Sequence, residues 1–142
     1  MVKFLQVGKW RYLSPDEKNG LKNTAGCDFK LVVTHSYIFT DHKKKLTIVV
    51  PIGFLSDGDS GTGINKGASW IIHDMLYATH RYENNCDYIV SRKEADEIMA
   101  AILLYERRFF YWIAFKIGLC LFRRQLENAW DNSGMRGVCL LV

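Results

Sequence analysis

Trp70-Ile71-Ile72-His73-Asp74-Met75-Leu76-Tyr77 is the stretch whose reading settles the rest of the chain. Ile72 and Leu76, with Ile71, make an apolar stripe at helical spacing, which predicts a helix. His73 and Tyr77 are four apart and Asp74 and Tyr77 three apart, so an imidazole, a carboxylate and a phenol meet on one turn. The remainder of that helix is nearly all apolar. A glycine-rich acidic loop precedes it, Asp57-Gly58-Asp59-Ser60-Gly61-Thr62-Gly63. A second helix follows, opening Ser91-Arg92-Lys93-Glu94-Ala95-Asp96, with an acid facing back toward the first.

The bounds around this centre are ordinary. A chain of 142 residues, 49% hydrophobic and 24% charged, suits one globular domain with a single core. The formal net charge of +4 allows anionic partners without requiring nucleic acid, and no specific nucleic-acid binding is expected. Cys27, Cys86, Cys120 and Cys139 are widely spaced and contain no C-x-x-C pair, which argues against a zinc knuckle and for reduced thiols. The opening Met-Val-Lys-Phe-Leu-Gln-Val-Gly-Lys is too patchy for a secretory h-region, so a signal peptide is not expected.

The first half reads as strands. Val2 to Val7 forms a short strand, and Lys9 to Gly26 is polar and mostly loop, with one helical turn started by Ser14-Pro15. Phe29 to Thr40 is β-branched and aromatic and reads as one strand. Asp41-His42-Lys43-Lys44 turns the chain, Leu46 to Val50 returns, and Pro51 ends the hairpin.

The second half reads as helices. The His73 helix is expected to end near Tyr82, followed by a polar loop, Glu83 to Asp87. Ser91 is placed as an N-cap with Glu94 at the capping-box position, and Ala95, Ile98, Met99, Ile102 and Leu103 form that helix's buried stripe. Phe109 to Phe122 is very apolar, bounded by Arg107-Arg108 and Arg123-Arg124, shorter than a bilayer span and interrupted by Lys116. A buried core helix is the expectation, with Lys116 snorkelling outward; a helix lying on a membrane or docked on a partner is the alternative. Strands first and helices after give an α+β fold, a small antiparallel sheet packed against three helices. The expected layout is a single domain: strands and loops over 1–52, a glycine-rich loop over 53–67, helices over 68–130 and a tail over 131–142. The tail's Cys139-Leu140-Leu141-Val142 fits C-a-a-X with an untypical last residue, and a flexible or docked apolar end that happens to contain cysteine is the expectation.

The order of these motifs resembles a family. Val50-Pro51-Ile52-Gly53-Phe54-Leu55-Ser56-Asp57, then Ser60, then His73-Asp74-Met75-Leu76-Tyr77, then Arg92 and Ala95-Asp96, then Ile113-Ala114-Phe115-Lys116-Ile117-Gly118 are similar to the domain of unknown function 1353 family of tailed phages and large DNA viruses. The resemblance covers about Phe29 to Trp130. Ser56 stands where threonine is usual, and Gly61-Thr62 replaces the usual x-Pro after the serine. It implies a viral protein, found in the host cytoplasm or virion, more than it implies a reaction. A second resemblance is to phospholipase A2, which also sets a glycine-rich calcium loop before an H-D-x-x-Y helix and an aspartate on an antiparallel helix. It implies His73 as general base, Asp96 as its orienting acid and Tyr77 as a brace. Asp74, with Asp57, Asp59 and loop carbonyls, would hold a divalent metal, calcium in that family. Ser60 and Arg92 would stand beside the substrate or behind these groups. The secreted enzymes' disulfides and the Cys-Gly framing of their loop are missing here.

Several chemistries are excluded. The glycine loop lacks the distal glutamate of an EF-hand and the Lys-Ser/Thr ending of a P-loop. Ser60 is not in a G-x-S-x-G elbow, which removes that class of serine hydrolase. His35, His42 and His80 are scattered and expected at the surface. Three function classes remain: a metal-assisted hydrolase, a non-catalytic virion or assembly component in which the same His-Asp-Tyr cluster staples two helices, and a membrane-surface module using the Phe109–Phe122 helix. Other virion proteins or a lipid surface are the partners that these readings imply.

Overall fold

The structure, a computed structural model, describes residues 2–21, 29–41, 45–56, 67–82, 85–136 and 140. It is α+β, as expected, with strands in the N-terminal half and helices in the C-terminal half. The strands form two small three-stranded sheets rather than the single sheet expected, and one bent antiparallel ribbon runs through both. Val2–Gln6 (β1) pairs antiparallel with Tyr37–Asp41 (β4), and Lys9–Tyr12 (β2) with Leu31–His35 (β3). The third strand of each sheet comes from one stretch, Leu46–Val50 (β5) on β4 and Leu55–Ser56 (β6) on β3. The sheet orders are therefore β1-β4-β5 and β2-β3-β6.

The expected single strand over Phe29–Thr40 is thus two strands, parted at Ser36. Gly8 explains the break. A Cβ there would collide with the His35 and Ser36 carbonyl groups, so only glycine lets the ribbon fold over itself at this point. Lys9–Tyr12 is a strand rather than loop because it continues the ladder of β1 after that fold. The expected helical turn is Pro15–Gly20 (α1), closed by a full capping box between Ser14 and Glu17.

Ser69–Thr79 (α2) lies across the sheet and is buried along nearly its whole length. Leu31, Val33, Tyr37, Phe39, Leu46, Ile48 and Val50 meet Trp70, Ile71, Ile72, Met75 and Leu76 in the main core. Arg92–Tyr105 (α3) closes that core with Ala95, Ile98 and Ile102, and Met99 and Leu103 are buried with them. Ser91 caps α3 by accepting a hydrogen bond from the Glu94 amide at 3.1 Å. The helical half holds four helices rather than three, since Phe109–Leu121 (α4) and Arg123–Arg136 (α5) break at Phe122.

Three features differ from expectation. Helix α2 stops at Thr79, where His80 takes the left-handed conformation (φ 56°) and its amide closes on the Leu76 carbonyl at 2.7 Å. The expected polar loop after it is a hairpin instead, Arg81–Tyr82 (β7) against Asn85–Ile89 (β8), locked by the Val90 amide on the His80 carbonyl at 2.8 Å. The third difference is the largest. Helix α4 is not a core helix: none of its residues is buried. Its inner side, Tyr111, Trp112, Phe115, Gly118 and Leu119, is only half covered. The sheet already has its cover in α2 and α3, and α4 packs on the edge of those two layers. Among the described residues no helix is long and apolar enough to cross a membrane. In the tail, Leu140 makes an isolated antiparallel bridge with Phe54, and Cys139 lies outside the described residues.

Helix α2 begins without a capping side chain of its own. Glu106, at the end of α3, supplies one from 38 residues away: both carboxylate oxygens accept from the Ala68 amide, at 3.2 and 3.3 Å. Gly67 (φ 72°) permits this, because a Cβ there would strike the same carboxylate. Burial raises the Glu106 pKa, and the Ala68 amide works against that rise. A raised carboxyl pKa favours folding at pH below the ordinary glutamate range, and the contribution fades as pH rises through the folded value. Glu106→Ala is expected to cost about 1 kcal/mol in chemical denaturation. Glu106→Gln keeps an acceptor for the amide, and should lose less and flatten the acid-side pH dependence.

Candidate functional site

Helices α2 and α3 face each other through one buried carboxylate. Asp96, its side chain 4% exposed, takes the His73 Nε2–H on Oδ1 at 2.8 Å. The Tyr77 hydroxyl donates to the same oxygen at 3.2 Å, and Arg92 Nη1 donates to Oδ2 at 2.7 Å. The spacing of His73 and Tyr77 on α2 sets both donors on one face, and Arg92 reaches Asp96 one turn along α3. The expected pairing of His73 with Asp96 across two helices is present. So is the plainer pairing of Asp96 with Arg92.

Each partner has a consequence. A carboxylate this buried would be costly without hydrogen bonds, and here both oxygens are used. With Nε2 donating to Asp96, the tautomer leaves the lone pair on Nδ1. The His73 side chain is 17% exposed and that of Arg92 20%, so solvent reaches the imidazole and the guanidinium while the acid between them is shut away. Burial pushes the Tyr77 hydroxyl well above the ordinary tyrosine value, and the Asp96 charge and hydrogen bond add to the rise.

Aromatic rings wall the cluster. The His73 ring lies 4.4 Å from that of Tyr77 and meets Phe115 of α4 edge-on at 5.8 Å. Trp130 of α5 stands edge-on to Tyr77 at 4.9 Å and stacks flat on His80 at 3.6 Å. His80, expected at the surface, is half-buried in this wall; His35 is exposed as expected, and His42 lies outside the described residues. Sequence reasoning missed His80, Phe115 and Trp130. The signal for His80 was present, since 73, 77 and 80 fall on one helical face. Phe115 and Trp130 arrive from helices whose placement no local pattern announces.

The other expected site residues divide in two. Asp74 is half-buried on α2 beside His73 and has interaction partners of its own. Asp57, Asp59 and Ser60 lie outside the described residues. Among the described residues no group of three His, Cys, Asp or Glu side chains is placed to hold a metal ion. These residues offer calcium only Asp74 of the three expected carboxylates. Comparison with family models, with curated proteins and with solved structures finds no match to this chain.

Two buried phenols give the site and core an alkaline signature. Tyr37 is pushed up to about 12 by burial, with the Glu106 charge adding, and Tyr77 is raised further. In the unfolded chain both ionise near the ordinary value of about 10. Stability is therefore full below pH 10 and falls as pH rises past it, by about 1.4 kcal/mol per pH unit for each tyrosine. Denaturation between pH 9 and 12, with the absorbance of ionised tyrosine followed in parallel, checks this. Tyr77→Phe should flatten the slope by one tyrosine's share, and Asp96→Asn should bring the Tyr77 hydroxyl down.

Proposed function

We propose that this chain is a viral hydrolase, resembling phospholipase A2 in its His-Asp chemistry, in which His73 is the general base. The observation that carries the reading is the 2.8 Å bond from His73 Nε2 to a shut-away Asp96, on an imidazole whose side chain is 17% exposed. A base needs this arrangement: one ring nitrogen fixed by an acid, the other turned to the substrate. Nδ1 takes a proton from water as the oxygen adds to an ester carbonyl, and the imidazolium then returns that proton to the departing alkoxide. Asp96 stays ionised throughout and stabilises the imidazolium, while Arg92 and Tyr77 hold the carboxylate in register. A divalent ion at Asp74, Asp57 and Asp59 belongs to this proposal, as does viral origin through the resemblance to the domain of unknown function 1353 family.

A second reading has its own observation. Asp96 is engaged at both oxygens by three partners, and Arg92 balances its charge, which is also what a structural staple between α2 and α3 requires. In that reading the chain is a virion or assembly component without catalysis.

The two separate at His73. For a hydrolase, His73→Ala should keep the circular-dichroism spectrum and lower ester hydrolysis by about 10²–10⁴-fold. Assays with calcium and with a chelator report on the proposed ion. For a staple, the wild type shows no hydrolysis above background and His73→Ala costs about 1.5–3 kcal/mol, the loss of one hydrogen bond to a buried charge. Wild-type hydrolysis that survives His73→Ala would remove the base assignment.

A further inference from the structure

We propose that the outward face of α4 docks flat on an anionic lipid surface. This proposal stands apart from the hydrolase reading and needs only the geometry of one helix. Helix α4 turns Tyr111, Trp112, Phe115, Gly118 and Leu119 toward the protein. The opposite face is Phe110, Ile113, Ile117 and Leu121, with exposures of 77, 51, 53 and 69%. These four recur at helical spacing and form a continuous apolar stripe on the solvent side. Phe109 and Phe122 extend it at the two ends, at 57 and 54%. A stripe of this size and regularity in a folded protein marks a contact surface rather than scattered exposure.

The charges around the stripe choose the occupant. From Arg107 to Leu126 the chain carries Arg107, Arg108, Lys116, Arg123 and Arg124 and no acid. Arg107, Lys116, Arg123 and Arg124 are exposed, and Arg123 also pairs along its own helix with Glu127 at 3.1 Å. A second copy of this chain is a poor occupant. Antiparallel pairing of two α4 stripes sets the arginines at one end against those at the other, and parallel pairing sets each end against itself. Both arrangements bring like charges together with no acid in the segment to separate them. An anionic bilayer neutralises both ends at once. The 13 residues of α4 span about 20 Å, too short to cross the hydrocarbon but suited to lying in the interface. Phe109, Phe110 and Phe122 bring bulky aromatic side chains to that depth, and the arginines reach the headgroups.

Flotation of the full-length chain with phosphatidylcholine vesicles, with and without phosphatidylserine, tests this. The wild type should float with the anionic vesicles, weakly or not at all with the neutral ones, and be released by high salt. Ile113→Glu/Ile117→Glu changes residues already in solvent and should abolish flotation with the fold intact. Arg107→Ala/Arg124→Ala leaves the stripe untouched and should weaken binding about 25-fold, about fivefold for each basic residue. His73→Ala should float like the wild type, so a failed hydrolase assay and a failed docking assay remain distinct. The proposal is overturned if the wild type does not float with anionic vesicles, or if both double variants float unchanged. It is overturned equally if the wild type is a dimer that Ile113→Glu/Ile117→Glu converts to monomer, for then a second copy covers the stripe.

Discussion

The buried Asp96 carboxylate is the constraint on which the arrangement of the helical half depends. Helices α2 and α3 touch mainly through apolar side chains, which fix no unique register by themselves. A carboxylate sealed between them does, because it tolerates only placements that bring donors to both oxygens. His73 and Tyr77 supply them from α2, and Arg92 supplies one from α3 itself. Sliding either helix by one residue would take both α2 donors off Oδ1 and leave Asp96 only the Arg92 bond made within α3. The cluster therefore selects one packing among several of similar apolar area, whatever further chemistry it performs.

The same logic acts at the other end of these helices. The N-cap position of α2 is Ala68, which has no side chain to cap the first turn, and Glu106 at the end of α3 takes its amide instead. A negative charge at a helix N-terminus is favoured by the helix dipole as well as by the hydrogen bonds. Helices α2 and α3 are thus tied by carboxylates at two places, Asp96 in the middle and Glu106 at the end. The turn that presents Glu106 is a Schellman closure: the Arg108 amide reaches the Leu103 carbonyl and the Arg107 amide that of Leu104, with Arg107 left-handed at φ 57°.

What the sequence made legible follows from where the information lies. The alternation in Leu46–Val50, the stripe of α3 and the i, i+4 pair on α2 are local patterns, and each element formed where its pattern stood. The His73–Asp96 contact was legible too, because a short connection between two helices favours antiparallel neighbours. The element ends and bends that differ share one cause. Helix α2 ends at His80 and α3 turns at Arg107, both left-handed without the glycine that normally signals such an end. The sheet bends where Gly8 meets Ser36, a contact between segments 28 residues apart that no window along the chain contains. Glu106 as a cap for α2 is distant in the same way.

Helix α4 was misread for a different reason. Hydrophobicity all round a helix has two solutions, burial on every side or burial on one side with another surface left to find. Composition does not distinguish them; the supply of partners does. The sheet offers α2 and α3 one inner face, and α5 takes part of what is left, so α4 receives half a cover. The half it receives matters, because Phe115 stands edge-on to the His73 ring. The helix whose outer stripe faces solvent therefore forms, on its inner side, one wall of the partly exposed imidazole of the Asp96 cluster. Any surface that settles on the outer stripe presses on a helix in direct contact with that imidazole, so the two features occupy one side of the molecule by construction.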